Sequence, residues 1–343
     1  MKHLLMLIFL ASSVFADEDP YLWLEEVEGD RALEWARARN EQSLAELESL
    51  PIFKPLYERN LEIFNSDERI AYPAFQGDYL YNFWQDENNE RGLWRRTRMS
   101  EYLKDSPAWE TVLDLDQLAE SEGENWVWKG ANCLYPEDRL CILALSRGGA
   151  DATVRREFDT ATKSFVESGF RLPEAKTWLS WVDEDTLMVA TAFDEAEALT
   201  DSGYPNIVKL WKRGTPLAKA QTVYKGKTTD VASTGARLWD GETAHDIVVR
   251  TPTFFTSINY LLRDGELVHV DIPEDAEIHD ILQGQLLVEL KSDWEAGGKR
   301  HRQGSLLSID LETFLAGARD VQTVFEPGER TALSGVGTTR NFL

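Results

Sequence analysis

Beyond about residue 65 the sequence breaks into short runs rich in aromatic and β-branched residues, each bounded by Gly, Asp, Asn or Pro. Tyr79-Leu80-Tyr81-Asn82-Phe83-Trp84, Trp126-Val127-Trp128 and Thr186-Leu187-Met188-Val189-Ala190 are examples. Such residues suit a pleated, packed surface, and the punctuation between them supplies turns. Asp264-Gly265 lies between Tyr260-Leu261-Leu262 and Leu267-Val268-His269-Val270, the strongest short-range signal for a hairpin. Gln283-Gly284 makes a similar turn between Ile281-Leu282 and Leu286-Leu287-Val288. The runs group into units of roughly fifty residues, the range of propeller blades. They cover residues 68 to 118, 124 to 172, 176 to 226, 229 to 274 and 277 to 327. Each unit can be drawn as three or four antiparallel strands. A sandwich would also use short strands, but about 270 residues of them is long for one. An all-β propeller is the expectation. The repeat rests on strand rhythm, because residue identity between units is poor.

What precedes the strands is different. The first sixteen residues pair Lys2 with the apolar run Leu4 to Leu10 and the small-residue pattern Val14-Phe15-Ala16 before Asp17-Glu18-Asp19. That pattern predicts a secretory signal cleaved after Ala16, too short to span a bilayer. An exported protein, periplasmic or secreted, with no membrane span after signal removal is expected. Residues 17 to 67 read as a helical arm. Leu33, Trp35, Ala36, Ala38, Leu44 and Leu47 recur among charges over 30 to 49, and a second helix is expected from Phe53 to Phe64. A short helix is possible at Leu311 to Ala318. The last residues, Thr338 to Leu343, read as a strand cut partway, so that residues 68 to 343 are expected to be an incomplete propeller of about five blades and the start of a sixth.

Charge limits the partners. Sixty acidic side chains against 36 basic ones give a net charge of −24, the wrong sign for nucleic acid or anionic lipid. Twelve Trp, ten Tyr and fifteen Phe add to the β character. Cys133 and Cys141, the two cysteines, flank the turn-like Leu134 to Asp138. In an oxidising compartment a bridge across that loop and a pair of buried thiols both remain open.

No catalytic residue stands out. Ala144-Leu145-Ser146-Arg147-Gly148-Gly149 approaches a nucleophile elbow but lacks its first glycine and leads to another strand, so Ser146 reads as a turn residue. His3, His245, His269, His279 and His301 show no metal-ligand spacing. The acidic pairs Asp114 and Asp116, Asp183 and Asp185, and Asp194 and Glu195 suit solvated turns better than a glycosidase dyad. There is no Walker loop and no dinucleotide fingerprint, so no cofactor and no metal are expected.

Asp19-Pro20-Tyr21-Leu22-Trp23-Leu24-Glu25-Glu26, followed by a helix bearing Trp35 and Asn40, resembles the start of prolyl oligopeptidase family serine peptidases. The likeness continues through Tyr81 to Asp86, Gly92 to Thr97, Trp109 to Asp116, Leu145 to Asp151, Arg156 to Asp159, Ser202 to Pro205 and Trp211 to Thr215. Each motif is weak alone and the series is specific. The resemblance implies a helical arm, a seven-bladed propeller that gates access for short peptides, and a C-terminal α/β-hydrolase domain. In that domain Ser would attack the carbonyl after proline, with His as base and Asp orienting it. The hydrolase domain, the proline pocket and the peptide-gripping Arg have no counterpart here, so the expectation is a fragment, inactive by itself, whose partners are peptide substrates and its own missing hydrolase domain. The competing expectation is a complete, non-catalytic periplasmic propeller that binds a peptide or glycan.

Overall fold

The computed structural model describes residues 19–26, 28–339 and 341–343. The expected signal segment lies outside the described residues. The chain divides into two compact units, one ending at Arg69 and one running from Ile70 to Leu343, two residues beyond the boundary expected at 67.

In the first unit a 3-10 turn, Leu22–Glu25, precedes α1 (Asp30–Glu48) and α2 (Phe53–Asn65). Pro51 and Ile52 separate the helices, and Ser66 in extended conformation ends the second. Trp23 and Trp35 meet edge to face at 6.4 Å, and the Arg31 guanidinium lies 3.9 Å from the Trp23 ring centre. Burial is otherwise slight. Ala32 is the buried residue of α1, while Leu44, Leu47, Leu56, Leu61, Ile63 and Phe64 are exposed. Helices of this kind depend on packing for most of their stability, and these two do not bury their own apolar side chains against each other.

The second unit is built of antiparallel sheets in chain order. The first sheet holds β1 (Ala74–Gln76), β2 (Tyr79–Asp86), β3 (Asn89–Thr97) and, after the single turn α3 (Met99–Tyr102), β4 (Glu110–Asp114). α4 (Leu115–Glu122) leads to the second sheet: β5 (Trp126–Cys133), β6 (Leu140–Arg147) and β7 (Thr153–Asp159), with β8 (Ser164–Phe165) and β9 (Arg171–Ala175) both pairing β7. The third holds β10 (Trp178–Asp183), β11 (Thr186–Ala190), β12 (Ile207–Lys212) and β13 (Gln221–Lys225). The fourth holds β14 (Ala232–Asp240), β15 (Thr243–Thr253), β16 (Thr256–Arg263) and β17 (Glu266–Val270). In the fifth, β18 (Glu277–Leu282) and β19 (Gln285–Glu289) are followed by a separate ribbon, β20 (Trp294–Ala296) with β21 (Lys299–His301). β22 (Leu306–Asp310), α5 (Leu311–Leu315) and β23 (Val321–Phe325) complete it. These are five propeller blades, one for each unit read from the strand rhythm. The first strands β5, β10, β14 and β18 approach one another in succession, so they are the inner strands.

Turn chemistry sets the hairpins. Asp264 and Gly265 have φ of 49° and 83°, and Gln283 and Gly284 have 51° and 75°, the two left-handed positions that a tight two-residue turn requires.

Blades stack face to face, and this explains why the strands lack a simple apolar–polar alternation. All five residues of β11 are buried, as are Cys141 to Ser146 in β6. Neighbours on β6 serve opposite sides. Leu143 packs with Tyr81, Trp94 and Phe158 towards the first blade, and Ile142 with Trp181, Leu187 and Trp211 towards the third. Each such side chain contributes about 2 kcal/mol by the area it removes from water. Gly235 on β14 has no room for a side chain, because a Cβ there would collide with Met188 and Val208 of the third blade.

Polar bonds join the same blades. Glu157 on β7 is 2 % exposed and accepts from Arg213 of the third blade at 2.8 and 3.0 Å, and from the Phe170 amide at 2.7 Å. Asp240 accepts the Gln283 and Gly284 amides of the fifth blade, each at 2.6 Å.

Three elements differ from the sequence expectation, the first being the single helical turn α3. α4 is an eight-residue helix where none was expected. Its signals are local: the Asp114 carboxylate caps it by accepting from the Gln117 amide at 3.0 Å, and Gly123 closes it with φ of 65°. The described residues of the segment from Thr338 to Leu343 form no strand. Instead Thr338 donates to Asp280 and the Thr339 amide bonds the Phe342 carbonyl at 2.8 Å.

Arg213→Met should lower stability by about 3 kcal/mol, since it strands the buried Glu157 charge between blades. Arg300→Met, which breaks a pair whose Arg side chain is 67 % exposed, should change it by less than about 0.5 kcal/mol. Urea unfolding midpoints of the two variants check this; equal shifts would refute the coupling between the second and third blades.

Candidate functional site

In each blade the turn between the second and third strands emerges at the same end as the link from the fourth strand to the next blade. Among the described residues, grooves open along this end in three places. One of 670 Å³ lies near Trp126, Arg147 and Arg156, one of 440 Å³ between the second and third blades, and one of 770 Å³ between the fourth and fifth.

The first groove is charge-balanced. Arg156 pairs with Glu122 at 2.7 Å, and Arg147 with Glu124 and Glu174, each at 2.9 Å. In the third the β15–β16 turn presents Phe254 and Phe255, 77 % and 86 % exposed, beside Ile278 and Lys291.

The second groove is different in kind. Asn132, Asp151, Arg155, Lys176, Trp178 and Tyr204 are among its lining residues. Alternation along β7 turns Arg155 to the same side as Glu157, towards the third blade, while Val154, Arg156 and Phe158 face the first. The Arg155 Nη2 donates to the Thr177 carbonyl at 2.8 Å, whereas its Nε is buried without an acceptor. Burial holds its pKa below the usual arginine value. The Lys176 ammonium lies 4.1 Å from the centre of the Tyr204 ring, and Trp178 packs on that ring at 5.9 Å.

The residues singled out in the sequence have structural roles. Ser146 is inside β6 rather than in a turn; it is fully buried, and its hydroxyl donates to the Ala150 carbonyl at 2.7 Å across the Gly148-Gly149 turn. Asp116 accepts the Arg91 amide at 3.1 Å and the Gly92 amide at 3.2 Å. Asp183 accepts the Asp185 amide at 2.8 Å, and Asp185 pairs with Arg213 at 3.1 Å. Glu195 is the partner of the buried Lys209 ammonium at 2.7 Å. Cys133 and Cys141 are opposed in the β5–β6 ladder and joined as a disulfide. His245 lies on β15 and His269 on β17 of the fourth blade, His279 on β18 of the fifth, and the His301 Nδ1 lies 3.2 Å from the Thr323 hydroxyl.

One cluster escapes any reading of spacing. Glu277, His279 and Glu289 bring their ligand-type atoms within 4.8 Å of one another. The cause is a bulge: Ile278 pairs with Val288 but Asp280 with Leu287, leaving His279 as the extra residue. His279 Nε2 lies 2.9 Å from Glu289, and the Lys291 ammonium bridges Glu277 at 3.1 Å and Glu289 at 2.7 Å. Lys291 supplies the positive charge, so the arrangement is an ion network. Burial by itself would raise the Glu289 pKa; bonds from Lys291 and then His279 outweigh it and hold the carboxyl below the usual range.

The fold is thus an antiparallel β-propeller of single-chain blades, with a two-helix unit before it. Residues 15–244 match the model of the prolyl oligopeptidase N-terminal beta-propeller domain. The chain belongs to the prolyl oligopeptidase family. It is 36 % identical over 335 residues to an uncharacterized peptidase of Sinorhizobium fredii, covering 95 % of this chain and 46 % of that protein. An uncharacterized peptidase of Rickettsia prowazekii is 29 % identical over 337 residues, with 93 % and 46 % covered. Among solved structures, a post-proline cleaving enzyme from Rickettsia typhi superposes with a TM-score of 0.82 at 28 % identity, covering 89 % of this chain and 47 % of that one. The chain spans about half the length of these relatives. Among the described residues no helix is long and apolar enough to cross a membrane.

Lys291→Met should raise the Glu289 carboxyl pKa, because the ammonium that opposes burial is gone. A carbon-13 NMR titration of the Glu289 side chain reads this; an unchanged midpoint would show that Lys291 does not hold the network.

Proposed function

We propose that this chain is the N-terminal, substrate-gating part of an exported prolyl oligopeptidase-like serine endopeptidase that hydrolyses short, proline-containing peptides. The observation that carries the reading is the family match over residues 15–244 in a chain that spans 46 % of its peptidase relatives. The name of the Rickettsia typhi enzyme supports cleavage after proline.

Division of labour follows. In this reading the bond-breaking groups, a serine nucleophile, a histidine base and an aspartate that orients it, belong to a C-terminal hydrolase domain. The propeller contributes exclusion: stacked blades form a rigid cap whose openings accept a flexible peptide and reject a folded protein. The exposed apolar face of the arm, including Leu44, Leu47, Leu56 and Leu61, supports a further packing partner, and the hydrolase domain is the one we assign. Export is supported by residues 1 to 16 of the sequence and by the Cys133–Cys141 bridge.

A protein joining this chain to a C-terminal half like that of its relatives should hydrolyse a peptide bearing a chromogenic group after proline and leave a folded protein of the same sequence motif intact. The 343-residue chain alone should give no hydrolysis above buffer. Cleavage of the folded protein at a comparable rate would remove the gating role. Mass spectrometry of the protein recovered from the periplasm or medium should give Asp17 as the first residue; retention of residues 1 to 16 in the cytoplasm would refute export.

A further inference from the structure

Five arginines drawn towards the interior of this propeller have carboxylate partners: Arg96 with Glu110, Arg156 with Glu122, Arg213 with Glu157, Arg237 with Asp246 and Arg250 with Asp230. Arg155 has none among the described residues. A guanidinium does not surrender its proton, so desolvating it without a counter-ion is costly. Carboxylates are not scarce in a chain with 60 acidic side chains. Nor is the position remote from one, since Glu157 faces the same side of β7 and is committed to Arg213.

Lys176, on the link between the second and third blades, repeats the pattern. Its ammonium rests on the Tyr204 ring and pairs with no carboxylate among the described residues. Asp151 lines the same groove, is exposed, and forms an ion pair with neither cation. Two unneutralised cations therefore face one 440 Å³ groove, whose apolar wall is the packed pair Trp178 and Tyr204. The first groove at the same end of the propeller, by contrast, pairs Arg147 and Arg156 with its own carboxylates.

We propose that the groove between the second and third blades binds the C-terminal carboxylate of a peptide, with Arg155 and Lys176 as counter-ions and the Trp178–Tyr204 wall against the last side chain. The charge of a guanidinium is spread over its plane, so an anion in the groove balances it even though Nε itself is buried. The assignment of a peptide rests on the peptidase reading above. It adds selection by chain end: the propeller would favour peptides with a free terminus rather than screen by length alone.

Isothermal titration of the 343-residue chain at low salt tests this with three forms of one tetrapeptide of neutral residues. They are the free acid, the C-terminal amide, and an amide ending in Glu. The free acid should bind at least tenfold more tightly than either amide. Arg155→Gln should abolish that difference, and Lys176→Gln, a change at the groove rim, should cut it to about threefold or less; if Arg155→Gln fails to fold, Lys176→Gln decides. Removal of an unpaired buried charge should leave the melting temperature of Arg155→Gln unchanged or higher. No peptide binding, equal binding of acid and amide, or a preference that survives both variants overturns the proposal. Equal binding of the Glu-ended amide overturns the terminal assignment, and inorganic phosphate binding as tightly as the free acid overturns the peptide. If the longer protein hydrolyses no peptide while the preference stands, the peptidase reading fails and the carboxylate groove survives. Hydrolysis with no end preference in binding or KM does the reverse.

Discussion

Face-to-face contact between blades is the constraint on which the rest of the propeller depends. A single four-stranded sheet of this size cannot bury both of its faces, and β6 and β11 are apolar on both. Their neighbours cover them. Ile142 and Leu143, adjacent in sequence, belong to hydrophobic clusters on opposite sides of one sheet. Stability is thus spread over interfaces between blades, and each blade is a core only in company.

Polar groups drawn into those interfaces lose much of their contact with water, and partners on the neighbouring blade replace it. Glu157 and Arg213 do this between the second and third blades, and Asp240 does it for a turn of the fifth. The same rule gives Arg155 its meaning. On one strand, Glu157 has a complete set of partners and Arg155, two residues away, does not. A packed scaffold that pairs Arg213, Arg237 and Arg250 with carboxylates, yet leaves Arg155 open on a groove, provides a fixed charge already desolvated and oriented for an anion.

The family relation and the structure divide the functional argument between them. The match over residues 15–244 places the chain among prolyl oligopeptidases, and its blades leave grooves along one end. In the proposed reading catalytic chemistry belongs to the length of the relatives that this chain does not span, and the blade junctions select what reaches it. Phe254 and Phe255 at one junction and Arg155 and Lys176 at another give the same end of the propeller two surfaces of different character.

Features set by a few consecutive residues were legible in the sequence. The Asp264-Gly265 and Gln283-Gly284 turns, the two helices of the arm, and five strand groups with nearly their observed limits all depend on local backbone preference and spacing. α4 was equally local, with Asp114 and Gly123 as caps, but its eight residues are too few for a helical period to show. What the tertiary structure decided are the partnerships. Glu157 and Arg213 are 56 residues apart, His279 reaches Glu289 through a bulge, and Ser146 proved to be a buried strand residue. Whether a charge is paired or left open depends on how two twisted sheets meet, and neither sheet carries that angle in its own sequence. The backbone encodes where strands begin and turn; the docking of one blade on the next determines which side chains are left with something to bind.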